Sequence, residues 1–106
     1  MIEVNKENFE TEVANYKDMP VFVDFWGDKC EVCKALMPDV HRLEEKYKSS
    51  IKFCSLNTSK NRRLAISQRV LGLPTMIIYK NGEKVETLTP DKVTAESIEE
   101  MLKKYL

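Results

Sequence analysis

Short, near-continuous apolar runs alternate along this chain with longer stretches whose apolar residues recur every three or four positions. Val21-Phe22-Val23-Asp24-Phe25-Trp26 is apolar except for one carboxylate, the pattern of a strand covered on both faces. From Cys33 to about Ser49, Leu36, Val40, Leu43 and Tyr47 fall on one stripe and predict an amphipathic helix, which Pro38 is expected to kink. Ile2 to Val4, Ile51 to Leu56 and Thr75 to Tyr79 read as further strands. Asn5 is placed to cap a first helix carrying Phe9, Val13 and Tyr16. Asn57 to Asn61 reads as a turn, and a short helix through Leu64 and Ala65 is expected to end before Gly72. Asn81-Gly82 signals a type I′ hairpin into Val85 to Leu88. Thr94 caps a last helix whose Ile98, Met101, Leu102 and Tyr105 share a face. The predicted order is β-α-β-α-β-α-β-β-α. It describes one α/β domain over residues 1–106, a central mixed sheet of four to five strands flanked by four helices. Helix-linked strands should be largely parallel, with the hairpin as an antiparallel edge.

Composition narrows the function. The 106 residues suit one core, and 17 basic and 17 acidic residues cancel and read as interspersed. That balance speaks against nucleic acid and against a polybasic membrane contact. No apolar run approaches the roughly 20 residues that span a bilayer. The start, Met1-Ile2-Glu3-Val4-Asn5-Lys6, lacks a charged-then-apolar signal layout, so a cytoplasmic location is expected. Three cysteines in a reducing compartment make a structural disulfide framework a poor reading.

Candidate chemistry centres on Cys30-Glu31-Val32-Cys33. Two thiols at this spacing either close a reversible disulfide or supply half of a metal site. A strand leads in and a helical pattern leads out, placing Cys30 near a helix N-terminus, where backbone N–H groups and the dipole stabilise a thiolate. Cys33 lies one turn further along the same face. This geometry favours redox exchange: Cys30 as attacking nucleophile, Cys33 as the resolving thiol. Lys29 and Lys34 favour the Cys30 thiolate and Glu31 opposes it. Asp24, alone in its apolar strand, is expected to have a raised pKa. Cys54 on a central strand reads as a buried small hydrophobe. His41 lies off the apolar stripe and reads as a surface residue. Arg62 and Arg63 form a small basic cluster beside a helix start.

With motif and element order together, the chain resembles the thioredoxin family over nearly its whole length. The resemblance is carried by Val21 to Trp26, Cys30-x-x-Cys33-Lys34, Pro38, Gly72-Leu73-Pro74-Thr75 and Lys80-Asn81-Gly82-Glu83. A narrower likeness, in Cys33 to Val40 and Arg62 to Gln68, is to thioredoxins linked to glycine reductase in amino-acid-fermenting anaerobic bacteria. The resemblance implies a thioredoxin fold and Asp24 as proton acceptor for Cys33. It also implies a cis Pro74, where an X–Pro bond on its own would be expected trans. Trp26 would floor a substrate surface completed by Val32, Gly72, Leu73, Pro74 and Thr75. No bound cofactor is implied, because the thiols hold both electrons. A flavin-containing thioredoxin reductase would donate electrons to a monomeric carrier. Protein disulfides would receive them, a glycine reductase selenoprotein in the narrower subgroup. The chain departs from the family at Glu31-Val32 (usually Gly-Pro), Lys29 (usually a second Trp), Ser55 (usually a Lys near the buried aspartate) and Pro90 (usually a Gly).

Two other classes compete. In a CxxC metal-binding module, Cys54 and His41 would have to complete the site, though they lack paired ligand spacing. In a non-catalytic module, the fold would be kept only to bind partners.

Overall fold

Each predicted strand forms in the computed structural model, which describes residues 1–106. The strands are β1 (Ile2–Val4), β2 (Val21–Trp26), β3 (Lys52–Asn57), β4 (Thr75–Lys80) and β5 (Glu83–Leu88). They build one five-stranded sheet in the order β1-β3-β2-β4-β5. β3 runs parallel to both β1 and β2, while β4 is antiparallel to β2 and β5 to β4. The antiparallel pairing therefore begins one strand further in than the hairpin edge predicted from sequence.

The apolar run of β2 fills two cores at once, because successive side chains leave a strand on opposite faces. Val21, Val23 and Phe25 join Val4, Leu56, Ile77 and Tyr79 in one buried cluster. Phe22 joins Phe53, Met76 and Ile78 in the other, beneath α1 (Glu31–Tyr47) and α3 (Ala95–Lys103). Val40, Leu43 and Tyr47 of α1 and Ile98, Met101 and Leu102 of α3 supply the helix side of that layer. Lys46 Nζ at 2.7 Å and the Tyr47 hydroxyl at 2.5 Å both donate to Glu99 Oε2, tying α1 to α3.

α1 begins two residues before the predicted start and continues through Pro38 as one helix. α3 is closed by a reciprocal cap between Thr94 and Ser97. The short α2 (Arg62–Ser67) ends before Gly72 as expected.

The first predicted helix is different. It forms as a five-residue π-helical segment, Glu10–Ala14, closed by an Asn15 N–H donated to Glu10 O at 2.7 Å. Asn5 does terminate the preceding turn, accepting from the N–H groups of Glu7 and Asn8. Tyr16 falls beyond the segment; its ring carries the Lys52 ammonium 3.7 Å above its centroid, and that ammonium also donates to Glu12 Oε1. A 3₁₀ turn, Pro90–Lys92, was not foreseen.

Asn81 (φ 54°) and Gly82 (φ 80°) both take positive φ, as a type I′ turn requires. Gly82 is obligatory for a second reason: an added Cβ would lie 2.1 Å from the Ala14 carbonyl oxygen. The hairpin tip is thus packed onto the end of the π segment.

Candidate active site

β2 ends at Trp26, and the chain must then turn before α1 can lie across the sheet. The turn is made by Gly27 to Lys29. Cys30 N–H donates to Gly27 O at 3.1 Å, and Asp28 is held from two sides: its N–H donates to Ser59 Oγ (3.0 Å), and its carboxylate accepts from Asn57 Nδ2 (2.9 Å). A Cβ on Gly27 would meet Leu73 Cδ1 at 2.8 Å, so the turn is also pressed against the loop before β4. This anchoring by Asp28, Asn57 and Ser59 was missed from sequence. Its one signal was Asn57, a polar residue closing an apolar strand.

Cys30 is the N-cap of α1, and its sulfur accepts from the Cys33 N–H at 3.1 Å. An N-cap leaves the first helical N–H groups without partners inside the helix, so negative charge on this sulfur is favoured when the pair is reduced. The structure holds Cys30 and Cys33 as a disulfide, with Cα atoms 5.3 Å apart. The two cysteines differ in access: Cys30 is half-buried, whereas Cys33 is 2 % exposed. Glu31, Val32, Lys29 and Lys34 are all exposed around them.

Asp24 lies one face away from solvent. It pairs in register with Ser55 and Met76, and Met76 belongs to the core layer beneath α1, the helix that carries Cys33. The carboxyl is 1 % exposed and its Oδ1 has no hydrogen-bond partner. Desolvation accordingly raises its pKa to about 7. Ser55, its neighbour across β3, brings no counter-charge.

The Leu73–Pro74 peptide bond is cis, as the resemblance implied. Pro74 is buried, and the Thr75 hydroxyl donates to Gly72 O at 2.7 Å, closing that loop on itself. A Cβ on Gly72 would meet Pro90 Cγ at 3.1 Å, which places Pro90 against the same loop. Trp26 is half-buried; its carbonyl accepts from the Thr58 N–H and hydroxyl, and its indole Nε1 is buried without a partner. Cys54 is buried in β3, its thiol pushed up to about 12 chiefly by burial. His41 is exposed on α1 beside Glu44, with Nδ1 3.7 Å from Oε1. No three His, Cys, Asp or Glu side chains converge to hold a metal ion. No helix is long and apolar enough to cross a membrane.

A half-buried cysteine at a helix start, disulfide-bonded to a buried one a turn later, can trade its bond for one to an incoming sulfur. Comparison with known proteins agrees. The family model described as thioredoxin matches residues 1–104. A thioredoxin of Acetoanaerobium sticklandii is 50% identical over 106 residues, the full length of both chains. One of Peptoclostridium acidaminophilum is 47% identical, covering all of this chain and 96% of the relative. Both organisms are amino-acid-fermenting anaerobes. A thioredoxin of Porphyra purpurea is 38% identical over 98% of this chain and 95% of its own. Cysteine pair, fold and sequence therefore agree: the chain belongs to the thioredoxin family, whose members with such a pair are protein-disulfide oxidoreductases.

Proposed function

We propose that this chain, one domain over residues 1–106, is a monomeric cytoplasmic electron carrier that reduces protein disulfides through Cys30 and Cys33. The observation that carries this reading is the unequal exposure of the two bonded cysteines at the start of α1. The Cys30 thiolate attacks one sulfur of a partner's disulfide; that S–S bond breaks, and the departing sulfur takes up a proton. Cys33 then gives its proton to the ionised Asp24 carboxylate and attacks the Cys30 sulfur. The second partner sulfur leaves, and Cys30–Cys33 closes. Two electrons have passed to the partner. A carboxyl titrating at about 7 is well matched to this task, since near neutral pH it can both accept and return the proton.

Trp26, Val32, Gly72, Leu73, Pro74 and Thr75 form the surface on which the partner rests, with the Leu73 backbone offered for strand-like pairing. Lys29, Glu31 and Lys34 set the local charge around Cys30. Electrons return from a flavin-containing thioredoxin reductase. The likeness to relatives from amino-acid-fermenting anaerobes supports a glycine reductase selenoprotein among the recipients.

The test is trapping. Cys33→Ser leaves Cys30 able to attack but nothing to release it, so partners should accumulate as mixed disulfides that thiol reductants dissolve. If the variant traps no protein and wild type leaves an insulin disulfide intact, the carrier reading is wrong.

A further inference from the structure

Between Phe53 and Gly82 the chain carries five cations, Lys60, Arg62, Arg63, Arg69 and Lys80, and no Asp or Glu. The even mixing of charge read from the whole sequence breaks down over this stretch. Lys60, Arg62 and Arg63 are exposed at the start of α2, and Lys6 joins them because its N–H donates to Asn61 Oδ1 at 3.1 Å. None of the four takes part in an ion pair, although seven ion pairs form elsewhere. These cations line a shallow groove of about 310 Å³.

That groove shares Ser59 and Arg62 with a second one of about 510 Å³, whose apolar lining includes Ile66, Leu71 and Leu73. Leu71 is 89 % exposed and Ile66 61 %, a cost in water that a covering partner would remove. The double groove also abuts the turn before Cys30. Ser59 accepts from Asp28 N–H, and Leu73 is the side chain pressed on Gly27. The Asp28 carboxylate, at the turn beside the groove, is engaged by Asn57.

We propose that the α2 groove extends the partner surface beyond Gly72 and Leu73 into a docking site, taking an acidic, apolar arm of the protein whose disulfide is exchanged at Cys30. The occupant follows from charge complementarity: unpaired cations at one end call for carboxylates, and the exposed leucine and isoleucine at the other call for apolar side chains. A nucleic acid would use only the first half. The groove offers no aromatic ring for a base to stack on. This inference rests on the disulfide-exchange reading, and it adds that partners are selected by a surface outside the cysteine loop.

Three synthetic disulfides test it: one without an arm, one bearing an arm of about six residues of mixed Glu and Leu (about 20 Å extended), and one with Lys in place of Glu. Wild type should reduce the acidic-armed disulfide about tenfold faster in kcat/KM than the Lys-armed one at low salt, and high salt should shrink that preference. Arg62→Glu with Arg63→Glu should invert the preference while leaving the armless rate unchanged. Leu71→Ser should slow only the Glu/Leu arm. Both sets of substitutions are at exposed positions, and circular dichroism checks the fold. Equal rates for both arms, with the armless disulfide reduced normally, overturn the docking surface and leave the exchange reading intact. All three disulfides left unreduced would overturn both. Arm-independent rates together with duplex DNA bound at physiological salt would assign the cations to nucleic acid instead.

Discussion

A carboxyl group on a sheet face sealed by a helix has to be neutral or be costly, and Asp24 sits at that balance. Its pKa is about 7 in the fold against 3.8 ordinarily. Between those values the folded chain holds a proton that the unfolded chain has released, so stability falls as pH rises through this window and levels off above it. The difference is roughly three pH units, or about 4 kcal/mol at about 1.4 kcal/mol each, as an upper bound. Asp24→Asn should therefore be more stable than wild type at pH 8.5, and no more stable below about pH 4, in urea unfolding. The same variant should reduce disulfides more slowly and lose any rate inflection near neutral pH; an unchanged rate from pH 6 to 9 would remove Asp24 from the chemistry. Cys54 gives a second residue-scale expectation. With its thiol buried and pushed up to about 12, reduced native protein should take iodoacetamide at Cys30 first and at Cys54 only in denaturant, as read by mass spectrometry.

At the scale of elements, periodicity found the strands and the two long helices because each buries a regular stripe. It could not find the π segment, since Phe9 and Val13 keep the same spacing in an α-helix and only i→i+5 bonding, such as that from Asn15 N–H to Glu10 O, makes the difference. Nor could it tell that β4 would pair antiparallel with β2, a choice made by the route of the chain through α2 rather than by residues in either strand. The Asn81-Gly82 turn was legible, but the reason Gly82 resists replacement was not: Ala14 approaches from 68 positions away in sequence. Gly82→Ala has to move backbone as well as adopt positive φ, and should cost about 2–4 kcal/mol in denaturant unfolding. Thr94→Ala removes one half of the cap on α3 and should cost only about 1 kcal/mol. If the two losses were equal, the contact of the hairpin tip with the π segment would have been overstated.

For the whole molecule, the site was legible where one short motif carries it and hidden where distant segments meet. Cys30, Cys33 and Asp24 could be picked out in sequence because an unusual residue stands in an ordinary setting, whereas the cis Pro74 was expected only through the family resemblance. The Asp28–Asn57–Ser59 anchor, the approach of Pro90 to Gly72 and the cation-lined groove of α2 depend on segments joined only by folding. The acid-free stretch from Phe53 to Gly82 was visible but was averaged away by a net charge of zero. The account as a whole comes down to two sulfurs behaving as one two-electron unit. Equilibration in a graded series of reduced and oxidised dithiothreitol, followed by acid quench, alkylation and mass analysis, measures this directly. Cys30 and Cys33 should gain and lose alkylation together, along a single transition spanning about 30 mV per tenfold change in ratio, with Cys54 reduced throughout. Oxidation of Cys30 and Cys33 at separate midpoints, or a disulfide that includes Cys54, would contradict it.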